Sequence, residues 1–186
     1  FCGNSVSQTQ SYDAYGGALY AQTLDSLSIS NVVIQENSAT AANSAASVDG
    51  AALALSGVSG LLMRNNTVVG NSSATSTSWF ATSSGIVENT IFAYETGDVA
   101  DAADNGTNQA MSFQYNDWYQ NSGSNAAGSF AFSTSSNGNI TSQPQFLALT
   151  LDGDCDNDNL VLDPSSALVD AGNPAVFDGD GSRSDI

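Results

Sequence analysis

A short run of residues returns along this chain, and that recurrence limits the fold more than any other feature. Leu27-Ser-Ile-Ser-Asn-Val-Val-Ile-Gln-Glu-Asn37 comes back as Leu61-Leu-Met-Arg-Asn-Asn-Thr-Val-Val-Gly-Asn71. Ile29, Asn31, Ile34 and Asn37 thereby fall on Met63, Asn65, Val68 and Asn71. Leu19 and Ala21 fall on Leu53 and Leu55 at the same offset. Weaker copies run from Ile86 to Tyr94 and from Phe113 to Asn121, and Phe1-Cys-Gly-Asn4 matches the end of the unit. The equivalent positions read as Asn4, Asn37, Asn71, Tyr94 and Asn121, so the later units are shorter than the first two.

Repeats of roughly 20–35 residues mean stacked units, none able to bury its apolar face without a neighbour. The apolar residues come in short β-branched runs punctuated by Gly, Asn and Ser, which favours strands over helices. Unequal repeat lengths suit a β-solenoid whose strands stack in register while its turns vary. Two inward columns are expected: Ile29, Met63, Ile86 and Phe113 in one, Ile34, Val68, Ile91 and Trp118 in the other. Asn37, Asn65, Asn71 and Asn121 are read as structural turns, since Asn tolerates a left-handed bend and stacked amides can hydrogen-bond between units. The plainer alternative is that Asn only marks surface turns.

Composition narrows the partners. The 186 residues include no His, no Lys, two Arg and 19 acidic residues, for a net charge of -17. This charge argues against nucleic acid and anionic membranes as partners and favours divalent cations, neutral glycans or a high-salt medium; a glycan or another surface protein is the expected partner. No apolar run reaches the roughly 18 residues of a membrane span. Ser-His-Asp and Ser-Lys catalysis and His-based zinc sites need residues this chain lacks.

The organisation expected is a stack over residues 1–127 and a closing segment over 128–186. Residues 5–15, 38–50 and 95–109 read as loops, the last containing Asp98, Asp101 and Asp104. Phe113, Tyr115, Trp118 and Tyr119 form either a sugar-stacking platform or a wide end of the core. Nine of the 19 acidic residues lie from Asp152 to Asp185, in a region suited to cap the open end of the stack. Both ends of the chain fall inside motifs, as in a piece of a longer protein. Cys2 and Cys155 should lie about four strand spacings, or roughly 19 Å, apart. They could then pair only if the C-terminal segment folded back.

Residues 137–146, 159–172 and 178–186, taken with Gly16-Gly-Ala-Leu-Tyr20 and Ile34-Gln-Glu-Asn37, resemble bacterial right-handed parallel β-helix repeat proteins of the polymorphic outer-membrane-protein type. The resemblance implies an all-β right-handed parallel β-helix of about four to five rungs with a C-terminal cap. It also implies an extracellular or cell-surface address, with a structural or adhesive role in a larger secreted protein or self-assembling filament.

Three constellations could carry chemistry. Asp152, Asp154, Asp156 and Asp158 alternate as in calcium loops, and Asp178, Asp180 and Asp185 form a second candidate Ca²⁺ set. The alternatives are a solvated acidic turn in the first case and neutralisation by Arg183 in the second. As an enzyme of β-helix fold, the chain would be a polysaccharide lyase or glycoside hydrolase. Arg64 is the one candidate base on a repeat strand, and Glu36, Glu88 and Asp117 are the acids beside such strands. A glycan- or ice-binding face of Ser, Thr and Asn is the remaining reading.

Overall fold

The computed structural model describes residues 1–9, 13–42, 48–102, 110–128, 130 and 132–186. Its architecture is all-β with parallel sheets. One sheet joins eight strands: Ser5–Gln8, Ala14–Tyr15, Leu19–Leu24, Ser38–Ala41, Val48–Val58, Ser72–Ala81, Thr96–Ala102 and Ala126–Gly128. The other joins six: Leu27–Ser30, Val33–Gln35, Leu61–Val69, Gly85–Ala93, Met111–Gln114 and Asp117–Tyr119. Every pairing within these two sheets is parallel. No α-helix occurs among the described residues, and none there is long and apolar enough to cross a membrane.

The repeat is the register. In the second sheet Leu27 pairs with Leu61, Leu61 with Gly85 and Gly85 with Met111, so each strand meets its own copy in the next unit. Parallel neighbours place like residues side by side, and period-two alternation sends one set inward. The inward columns are Ile29, Met63, Val87 and Phe113, and Ile34, Val68, Phe92 and Trp118. Leu53, Leu55, Phe80 and Val99 of the first sheet meet them in one core. Burying a side chain of this size contributes about 1.5–3 kcal/mol.

The third repeat corrects the expected columns. Val87 and Phe92 point inward where Ile86 and Ile91 were expected, and Ile86 is 40% exposed. A slip of one residue exchanges the faces of a strand. Matching Tyr94 to Asn71 makes that slip, for in the true register Thr96 pairs with Ser72 and Glu95 takes the position of Asn71.

Three expected loops contain strands. Ser5–Gln8 and Ala14–Tyr15 lie in 5–15, Ser38–Ala41 and the start of Val48–Val58 in 38–50, and Thr96–Ala102 in 95–109. These strands are rich in Ser, Ala and Asp, and their hydrogen bonds come from in-register neighbours rather than from local hydrophobic pattern. Asp104, within the last expected loop, lies outside the described residues.

The closing segment divides in two. Phe130 and Phe132 pack on Phe80, Phe113 and Trp118 and cover the last repeat. Beyond Ile140, which bridges to Asp117, the tail lies along the outer face of the second sheet. Phe146, Leu149, Leu160, Leu162, Leu168 and Ile186 pack there with Val69, Ile91 and Ala93. Within the tail Phe146–Ala148 pairs antiparallel with Asn159–Leu162. This return brings Cys155 to Cys2, with Cα atoms 6.4 Å apart in a disulfide. The expected separation of the two cysteines is thus wrong, because it assumed that the C-terminal residues continue the stack.

Candidate functional site

Turns come first, since they align every outward side chain. Gly3, Glu36, Gly70, Tyr94 and Gln120 all have positive φ, and each precedes a ladder residue: Asn4, Asn37, Asn71, Glu95 and Asn121. The bend and the amide are therefore two adjacent positions, not one. Asn37 Oδ1 accepts from the backbone N and Nδ2 of Asn4, both at 2.9 Å. Asn71 Oδ1 accepts the same pair from Asn37 at 2.9 Å. Asn71 Nδ2 donates to Ile34 O and Asn121 Nδ2 to Phe92 O, satisfying carbonyls that the bend would orphan.

A second ladder escaped the sequence reading. Asn31, Asn65, Asn89, Tyr115 and Gly138 take positive φ, and Val32, Asn66, Thr90, Asn116 and Asn139 follow them. Asn66, Asn116 and Asn139 bond the backbone of Ile29, Val87 and Phe113. Asn65 is a left-handed bend whose Oδ1 accepts from Asn89 Nδ2 at 3.1 Å, and its neighbour Asn66 bridges to the preceding repeat. The signal was present as Asn at matched positions 66, 116 and 139, hidden by uneven spacing.

Two carboxylates break the pattern. Glu95 takes an Asn position, and its Oε1 accepts from the N and Nδ2 of Asn71 at 3.1 and 2.9 Å. Its Oε2 has no partner in a fully buried site. Burial pushes its pKa up to about 7, against the pull of the Asn71 bonds and of the Thr77 hydroxyl, whose own donated bond goes to Asp98 O. Asp117 lies under the tail, where Oδ1 accepts from Ser142 N at 2.8 Å and Oδ2 is unpartnered. Burial pushes it to about 7 as well, opposed by the backbone N–H groups of Ser142 and Trp118.

Five of the seven candidate metal ligands, Asp152, Asp154, Asp158, Asp180 and Asp185, accept hydrogen bonds from the protein itself. Asp152 accepts from Asp154 N and Asn157 Nδ2, and Asp154 caps the short 3₁₀ turn Cys155–Asn157 by accepting from Asp156 N. Asp158 reaches away to Thr150 and to Gln35 Nε2. Asp180 accepts from Ser182, and Asp185 from Asp170 N. Among the described residues no three acidic or cysteine side chains converge where a cation could be held. These carboxylates do not form a ready calcium shell as they stand. Arg183 does not neutralise the second cluster either, for it donates to Gly172 O and Ala171 O and lies over the Tyr115 ring.

The one candidate base is also engaged. Arg64 pairs with Glu88 at 2.5 Å, and Glu88 accepts further from Gln114 and Asn173 at 2.8 Å. Burial raises the Glu88 pKa, but the bonds from Asn173, Gln114 and Arg64 outweigh it and leave it lowered. This network ties three repeats to the tail. Glu36 is likewise turned to the tail, accepting from Gly153 N.

Of the expected aromatic platform, Phe113 and Trp118 fill the core, while Tyr119 meets Tyr94 edge-on. The accessible rings lie elsewhere. Tyr20, Ala54, Trp79 and Asp101 stand in register across four strands of the first sheet, next to the column of Tyr15 and Asp49. Tyr15 stacks on Trp79 at 5.0 Å and on Tyr20 at 6.3 Å, above the small Ala54. Tyr15 donates to Asp13 Oδ2 at 3.0 Å, and Ser76 to Asp49 Oδ1 at 3.0 Å. Burial, the Asp13 bond and the charges of Asp13 and Asp49 push the Tyr15 pKa up to about 12. Asp49 is raised too, by burial first and by Asp13, against the Ser76 bond. No local pattern marked these rings as a group, because Trp79 lies on a strand far along the chain from Tyr15 and Tyr20.

Fold and outer face define an all-β protein of parallel-strand repeats with an acidic, ring-bearing sheet surface. Comparisons with known protein families, with curated proteins and with solved structures find no match to this chain.

Proposed function

We propose that the chain is a right-handed parallel β-helix acting as a non-catalytic, extracellular structural or adhesive module. The in-register parallel strands and the turn ladders support the β-helix, and right-handedness is the general rule for parallel crossover connections. The observation that carries the functional reading is the commitment of Arg64. Its guanidinium is held by Glu88, which Gln114 and Asn173 fix in turn, so the pair reads as a clasp rather than a free base. The disulfide favours an oxidising compartment. The exposed sheet face is the part available to a glycan, a surface protein or another copy.

The test is turnover against binding. Incubation with alginate, pectin and neutral glycans should give retention on some matrices and no new chain ends. Turnover that Arg64→Ala abolishes would overturn the reading in favour of a lyase. Calcium at residues 152–158 is a separate proposal, for the Asp152 and Asp154 carboxylates keep lone pairs beyond their present bonds. Calorimetric titration with calcium measures that directly, and absence of heat removes the ion.

A further inference from the structure

We propose that the ring stack of Tyr20, Tyr15 and Trp79, with its flanking carboxylates, is a docking site for guanidinium groups of an arginine-bearing protein segment. The proposal rests on the reading of this face as a binding surface and names the partner's chemistry. Tyr15 bridges the other two rings, so the remaining faces of the stack are those of Tyr20 and Trp79. Tyr20 is 48% exposed and Trp79 is half-buried, so the stack keeps ring faces open to a ligand. Asp101 follows Trp79 in the same column, one strand along, and Asp13 and Asp49 flank Tyr15. A planar cation laid over Trp79 would meet both a π face and a carboxylate at strand spacing. Guanidinium suits this better than ammonium, because it stacks flat and forks to carboxylate.

Charge complementarity selects this occupant. The chain carries a net charge of -17 and no lysine, so it repels copies of itself and draws basic partners. A neutral sugar would stack on the rings and donate hydroxyls to the carboxylates, but it would gain no Coulombic attraction from their charge. The aromatic stack does stabilise its sheet as a cross-strand contact. That role alone predicts no discrimination between arginine and lysine.

Trp118 is buried in the core, which leaves Trp79 as the accessible indole. Hexaarginine, hexalysine and a neutral hexasaccharide, titrated at physiological salt while Trp emission is followed, distinguish the occupants. Hexaarginine should bind and change the emission, more tightly than hexalysine. Trp79→Ala, and separately Asp13→Asn with Asp101→Asn, should weaken binding roughly tenfold. Asp163→Asn with Asp170→Asn should leave it unchanged, and melting curves confirm that each variant is folded. Equal affinity for both peptides with no effect of the Trp79 or aspartate variants would reduce the site to diffuse charge and overturn the proposal. Binding of the hexasaccharide alone, or of none of the three, would overturn it as well. Polysaccharide turnover is read separately, so its appearance would sink the module reading rather than this one.

Discussion

Glu95 is the residue at which the pattern and the physics part. At four of the five positions of its ladder the chain has Asn; at Asn71 and Asn121 the amide oxygen accepts from the preceding repeat and the amide nitrogen donates to a carbonyl of that same repeat. Glu95 accepts but, ionised, cannot donate. By the same pattern an amide there would reach Val68 O, which is in register with Ile34 and Phe92. A rise in pKa from 4.5 to about 7 corresponds to about 3 kcal/mol lost above both values. Glu95→Gln restores a donor without a charge, and we expect it to stabilise the protein by on the order of 2 kcal/mol at pH 8 and hardly at all at pH 5. Denaturant melts at the two pH values check this. The recurring Asn was legible from spacing alone, but the Glu was not, since nothing in a carboxylate's identity announces that it stands in for an amide.

At the scale of elements, the strands with β-branched runs could be read directly, as in 27–37 and 61–71. Those made of Ser, Ala and Asp could not, because their neighbours in register decide their pairing. The tail was misread for a related reason. Its apolar residues, such as Leu160, Leu162 and Leu168, fit a further strand equally well as a packing strip. Only the outward Val69, Ile91 and Ala93 reveal that the second sheet needs a cover. The disulfide fixes that cover at a sequence separation of 153, for which loop entropy gives about 5 kcal/mol. Replacing Cys2 and Cys155 with Ser should release mainly the tail. Limited proteolysis should then cut within 141–186 while a fragment containing both parallel sheets persists. Loss of the whole molecule at the same protease concentration would mean that the tail is integral to the stack.

The whole molecule is an acid in which burial works against the charge of several carboxylates, most strongly Glu95 and Asp117. Glu95 and Asp117 both rise to about 7 from ordinary values of 4.5 and 3.8. Their contribution is therefore fully present below about pH 4 and is lost as pH rises through about 7. Glu88, lowered by its clasp, works in the opposite sense and weakens the fold as pH falls through its folded value. The net charge of -17 adds repulsion as the remaining acids ionise. Thermal unfolding should therefore show a higher Tm at pH 5 than at pH 8, by roughly 10 °C. A Tm that rises over this interval would mean that Glu95 and Asp117 are not held protonated.

The central claim is a single stack of parallel repeats tied through its turns, and residue-resolved hydrogen exchange tests it most directly. Turn amides ordinarily exchange early. Here the backbone N–H groups of Asn37, Asn71, Thr90, Glu95 and Asn116 each donate to a side-chain oxygen of another repeat. They should exchange together, as slowly as the core strands Leu61–Val69 and Gly85–Ala93 and more slowly than the tail. Rapid exchange at these five amides, with protection confined to strand interiors, would contradict the account.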